Sequence, residues 1–183
     1  MAANNVLQVN GVAVQLGSLQ GLGTVTNSHA TNGAAIHVGA GTFAGIIANG
    51  GGTMSVVKKT AGTVVLSGNC TYTGATTVEQ GLLAISTVGT GATPITVADG
   101  AALRLDIASQ DAQRTVQSVA LGTTTGSSLL VNAGTLLNPS AAPLVTTDLT
   151  VNAPTTLEYI GGNITTGTFP LVGYTNINGT LGF

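Results

Sequence analysis

The residues able to do acid–base chemistry are few, and four of them crowd together. Arg104, Asp106, Asp111 and Arg114 form the only charge cluster in the chain. An acid pair with basic neighbours on a β-face is how a polysaccharide lyase or hydrolase would be built. A glycosidase needs two carboxyls about 5–9.5 Å apart across the sugar, and no spacing here fixes such a pair. Arg104 and Asp106 are two residues apart, so in a strand they share a face. The pattern favours a solvated ion pair, and no residue is assigned a catalytic role.

Other candidates reduce in the same way. His29 and His37 lack cysteine or acidic companions at metal-ligand spacing. His37 lies between Ile36 and Val38 and is expected to point outward. No metal site is assigned, and no calcium-binding glycine–aspartate nonapeptide occurs. Gly21-Leu22-Gly23 lacks the third glycine and the βαβ context of a dinucleotide fingerprint, so no cofactor is expected. Cys70 is the single cysteine. It can form no internal disulfide and, without a supporting His or Asp, reads as inert. Asn69-Cys70-Thr71, Asn163-Ile164-Thr165 and Asn178-Gly179-Thr180 match the glycosylation pattern and are read as chance. Tyr72, Tyr159 and Tyr174 could be sugar-stacking platforms, but packing at turns is the favoured reading.

The composition limits what could position such groups. The chain has 183 residues, of which 5 % are charged, and a net charge of −2. Average soluble proteins carry roughly 25 % charged residues. Nucleic-acid binding needs clustered Lys and Arg, and a polybasic membrane anchor needs the same; neither is present. No apolar run approaches the ~18 residues of a spanning helix. Aromatics are 3 %, too few for the girdles of a transmembrane barrel. Met1-Ala2-Ala3-Asn4 lacks the charged and apolar regions of a signal peptide, and both ends look like those of an excised segment. Phe183 is read as solenoid rather than as a barrel-end signal.

Val, Ile and Thr make up nearly a third of the residues. They are stiff at χ1 and favour strands. Short apolar or alternating runs recur every 8–12 residues or so between Gly, Asn, Ser and Thr clusters, the spacing of an all-β sandwich, barrel or solenoid. Strands are predicted at 6–9, 12–16, 24–26, 35–38, 43–47, 54–57, 63–66, 76–78, 82–85, 95–97, 103–107, 115–121, 128–131, 135–137, 144–151, 156–160 and 169–174. No window holds a sustained helical stripe. Outward positions are mostly Thr, Ser, Asn, Gln and Ala rather than the charged residues of a wet sandwich face. Like residues stacked about 4.8 Å apart tolerate hydroxyls and amides but not like charges. Gly62-Thr63-Val64-Val65-Leu66, Gly134-Thr135-Leu136-Leu137 and Gly179-Thr180-Leu181 are approximate internal repeats. Leu66, Val78, Leu83 and Ile85 are expected to point inward. Gly68, Gly74 and Gly81 are expected at turns with positive φ, and Asn69 at a turn cap or in an asparagine ladder.

The stretch from Lys58-Lys59-Thr60-Ala61-Gly62-Thr63-Val64-Val65-Leu66-Ser67-Gly68-Asn69 through Cys70-Thr71-Tyr72-Thr73-Gly74-Ala75-Thr76-Thr77-Val78-Glu79-Gln80-Gly81-Leu82-Leu83-Ala84-Ile85 resembles the autotransporter-associated β-strand repeat. Upstream Leu16–Gly23 and Thr42–Ile47, and downstream Ile95–Leu103, fit the same resemblance over about 12–105. It departs at Ala61, where glycine is usual, and at Cys70, where a polar residue is usual. The resemblance implies a right-handed parallel β-helix and a secreted or surface-exposed bacterial passenger segment. The expectation is one β-solenoid segment over 1–183, part of a longer repetitive protein. At ~20–25 residues per coil it would have about eight coils and be near 40 Å long.

The function expected is structural: a stalk or scaffold, not an enzyme, outside the cell or on its surface. Neither end carries a polar capping repeat. Residues 1–57 have no charge and residues 1–93 no proline, so the edges lack gatekeepers. Partners are therefore expected at the ends, as stacked copies in a filament or as adjoining repeats of one chain. The alternative is an adhesin module that binds glycans or host surfaces through a solenoid face.

Overall fold

The computed structural model describes residues 1–179. Phe183 lies outside them, and the unit at Gly179-Thr180-Leu181 runs beyond them. Sixteen strands follow in chain order: β1 Val6–Val9, β2 Ala13–Ser18, β3 Thr24–Asn27, β4 Ala34–Phe43, β5 Ile46–Ala48, β6 Met54–Lys58, β7 Thr63–Leu66, β8 Thr76–Val78, β9 Leu82–Ser86, β10 Pro94–Val97, β11 Ala102–Asp106, β12 Arg114–Leu121, β13 Ser127–Gly134, β14 Leu144–Val151, β15 Thr155–Gly161 and β16 Val172–Gly179. Every pairing between them is parallel. A sandwich of hairpins would have been antiparallel, so the chain is a parallel β-helix.

The strands stack on three faces. β1, β3 and β5 form a short first face. The even-numbered strands β2 to β16 form a second face of eight rungs. The third face is β7, β9, β11, β13 and β15, joined to the second through β4, whose residues Ala34–Val38 pair with β6 and Gly41–Phe43 with β7. Eight rungs give the expected eight coils.

Alternation puts every second side chain inside, and in-register pairing stacks these into columns. One runs Val14, Ile36, Val56, Thr76, Ile95, Val119, Leu149 and Ile177. Another, on the third face, runs Phe43, Leu66, Ile85, Leu105, Val131 and Tyr159. Leu66, Val78, Leu83 and Ile85 are all buried, as expected. His37 is half-buried and points outward between the buried Ile36 and Val38.

The coil length changes along the rod. Register partners are 22 residues apart at Ala13 and Ala35, 20 at Val56 and Thr76, and 19 at Thr76 and Ile95. The step then grows to 24 at Ile95 and Val119, 30 at Val119 and Leu149, and 28 at Leu149 and Ile177. The last two exceed the expected range because β12 to β16 run seven or eight residues where β6 to β11 run three to five, with the loops 135–143 and 162–171 between them. Side-chain amides tie these loops together. The Gln110 amide donates to the Asn138 carbonyl at 3.2 Å, and the Asn138 amide donates to the Thr165 carbonyl at 2.7 Å.

Several expectations need correction. Residues 135–137 are not a strand: Gly134 ends β13, and Thr135-Leu136-Leu137 opens the following loop. The apolar Leu136-Leu137 pair imitated a strand, but Leu137 is 61 % exposed. The run at 43–47 divides between the end of β4 and the start of β5, and the run at 169–174 begins as a strand only at Val172. Gly81 has positive φ, at 69°, but Gly68 and Gly74 do not. Their glycines serve close approach instead: a Cβ at Gly68 would stand 2.0 Å from the Gly45 carbonyl oxygen, and one at Gly74 2.3 Å from that of Met54. Asn69 is exposed. The buried asparagine is Asn27, which receives the Gly11 and His29 N–H groups and donates to the carbonyls of Asn32 and Thr53.

Candidate functional site

The four residues of the charge cluster do not converge. On β11, Arg104 grips Asp106 with two parallel bonds of 2.8 and 3.0 Å, and Asn132 donates to the same carboxyl at 2.8 Å. This is the expected surface pair, about a quarter exposed on each side. Asp111 sits apart on the 107–113 loop with φ at 59°. It accepts the Ser140 N–H at 2.7 Å, and that bond holds its carboxyl below the ordinary range. Arg114 turns inward and is 3 % exposed. The structure thus separates a surface pair, a loop staple and an interior cation.

His29 Nδ1 accepts the N–H groups of Thr31 and Asn32 at 3.2 and 2.9 Å and so orders its own loop. Tyr72 is inside, its hydroxyl 2.8 Å from that of Thr76, which bonds in turn to Thr93. Burial pushes the Tyr72 hydroxyl up to about 12. Tyr159 stands against Phe169 with ring centroids 4.9 Å apart. Tyr174 is exposed at the carboxyl-terminal end of the rod. Cys70 is buried, and burial pushes its thiol up. The Asn163 amide is bonded to the Thr135 carbonyl.

Two interior cations escape a reading by residue type. Lys58 occupies an inward position of β6, in phase with Met54 and Val56, and is fully buried. Its ammonium donates to the carbonyls of Thr60 and Gln80 at the corner between faces. Burial lowers its pKa from the ordinary 10.5. The signal was its place in the alternation, two residues after Val56. Arg114 is the other, and its phase was hidden by the loop before β12.

Among the described residues the apolar interior is accessible at both ends. Around Met1, Val6, Leu7, Leu16 and Leu19 there is a cleft of about 970 Å³. Around Leu121, Leu149, Leu157, Phe169 and Tyr174 there is one of about 550 Å³. Met1 gives the first end a partial cover by pairing across Gln20 and Leu22. Among the described residues no helix is long and apolar enough to cross a membrane.

The fold and its dispersed polar groups define a parallel β-solenoid built from stacked coils. Residues 56–85, from β6 through β9, match the family model of the passenger-associated-transport-repeat, so this part of the chain is a repeat of the autotransporter-passenger type. No curated protein and no solved structure gives a match to the chain.

Proposed function

We propose that the chain is a structural segment of a secreted or surface-exposed bacterial protein, a non-catalytic stalk whose ends are covered by adjoining coils of a longer chain. The observation that carries this is the passenger-type repeat at 56–85 lying within one unbroken ladder of coils. Columns of apolar side chains fill the rod, and on its surface Lys59 pairs with Glu79 and Arg104 with Asp106. None of the three tyrosines stands on a lateral face as a stacking platform, which ranks the stalk above an adhesin.

The two ends favour adjoining coils over stacked copies. At one end the outermost second-face strand, β2, has six residues; at the other β16 has eight. The third face begins with a single bridge between Gly21 and Phe43 and ends with the seven residues of β15. Copies stacked end to end would leave part of β15 and β16 unpaired, and bare parallel edges seek partners.

Negative-stain microscopy of the purified chain across a concentration series tests this reading. Short separate rods, some 40 Å long at ~4.8 Å per coil, are expected at micromolar concentration. Filaments one solenoid wide would overturn it and make self-assembly the function.

A further inference from the structure

Arg114 presents a chemical problem that the fold itself does not solve. Its guanidinium donates once, from Nη2 to the Gly91 carbonyl at 3.0 Å. Nε and Nη1 are buried with no protein partner. The ion pairs among the described residues are Lys59–Glu79 and Arg104–Asp106, and neither involves Arg114. A guanidinium cannot shed its proton in a protein. Lys58, the other buried cation, meets two carbonyls, whereas Arg114 keeps two donors unmet, and a buried charge left so costs far more than an unmade neutral hydrogen bond.

The neighbours do not provide a negative partner. Arg114 lines a cavity of about 10 Å³ with Cys70, Tyr72, Ser86 and Gly89. Burial keeps the Cys70 thiol and the Tyr72 hydroxyl protonated at neutral pH. The Ser86 oxygen accepts the Val88 N–H at 3.2 Å, which leaves its hydroxyl hydrogen to donate. Gly89 keeps the passage open: a Cβ there would stand 1.9 Å from Nη1. The cavity is thus cationic and rich in donors, with room for one particle about the size of a water molecule.

We propose that this cavity binds a single halide-class anion, held by Nε and Nη1 of Arg114 and by the Ser86 hydroxyl. A water molecule could accept the same hydrogen bonds but would leave the charge unbalanced. The anion balances it and ties β12 to the coils of Cys70 and Gly91, so its binding stabilises the folded chain by mass action.

The test is thermal unfolding of the purified chain in sodium chloride against sodium gluconate at equal ionic strength, which holds general screening constant. The midpoint is expected to rise by about 3–5 °C per tenfold increase in chloride above the dissociation constant. Bromide should act likewise. Arg114→Met, which keeps an unbranched side chain without the charge, should fold and lose the halide response. Should that variant not fold, crystals of the parent chain soaked in bromide provide the second measurement, with an anomalous peak expected beside the Arg114 guanidinium. Equal midpoints in chloride and gluconate would overturn the proposal, and so would a bromide map with no peak at Arg114.

Discussion

At the residue scale, polar side chains in this protein act mainly as staples between coils. Asp99 is the clearest. Its carboxyl receives the N–H groups of Thr123, Thr124 and Gly126, at 2.7 to 3.1 Å, and the hydroxyls of Thr123 and Thr124. The Thr123 hydroxyl and N–H, the largest contributors, hold it well below its ordinary value of 3.8. Asp111 is lowered in the same way by Ser140. A lowered folded-state value means that the unfolded chain binds more protons in this range. The stabilisation is therefore complete above about pH 4 and is lost as pH falls through the folded-state value. Urea midpoints should be flat from pH 7 to 5 and drop below pH 4. Asp99→Asn should lower the neutral midpoint and flatten the acid drop. An unchanged acid profile in that variant would show that Asp99 is not a linked group.

At the element scale, the tight corners depend on glycine for different reasons, and substitution separates them. Gly68 packs against the Gly45 carbonyl of the preceding coil. Gly68→Ala forces those backbones apart and should cost about 1–3 kcal/mol, the usual penalty of overpacking. Gly17, exposed in β2, has open space where a Cβ would go and no positive φ. Gly17→Ala should stabilise by about 0.4–1 kcal/mol through the unfolded chain. Denaturant melts of both variants check the pair, and equal effects would refute the close-approach role. The sequence marked Gly68 and Gly74 as corners from their place between apolar runs. It could not say that the constraint was a carbonyl from a residue 20 or more positions away.

At the scale of the whole molecule, stability is shared between neighbouring coils. The middle coils, around β6 to β11, have partners on both sides, whereas β1, β2, β15 and β16 border the open ends. Leu157, Tyr174 and Ile177, which share the inward phase, are each more than a third exposed, while Leu83, Leu103 and Val119 are buried. Opening should therefore begin at the ends and cost most in the centre. Amide hydrogen exchange is expected to protect β8–β11 longest and β16 least. Uniform protection along the rod would mean a single cooperative unit and would refute the nearest-neighbour picture.

The sequence by itself determined the strand class, the parallel solenoid, eight coils, and the inward set Leu66, Val78, Leu83 and Ile85. The strand class and the inward set follow from local quantities, residue type, period-two alternation and turn spacing, and the parallel solenoid with its eight coils from these together with the resemblance of 58–85 to a known repeat. It also placed Arg104 and Asp106 on one face, because that pairing spans only two residues. Only the tertiary structure decided which coils lengthen to 28 and 30 residues, and that Leu136-Leu137 belongs to a loop. It alone separated Asp111 and Arg114 from the surface pair. It put Lys58 and Arg114 inside, where the carbonyls they meet, at Thr60, Gln80 and Gly91, come from other corners of the coils. Contacts between coils join residues some 20 to 30 positions apart, and their register depends on every loop length in between. A window of sequence carries the alternation but not that sum.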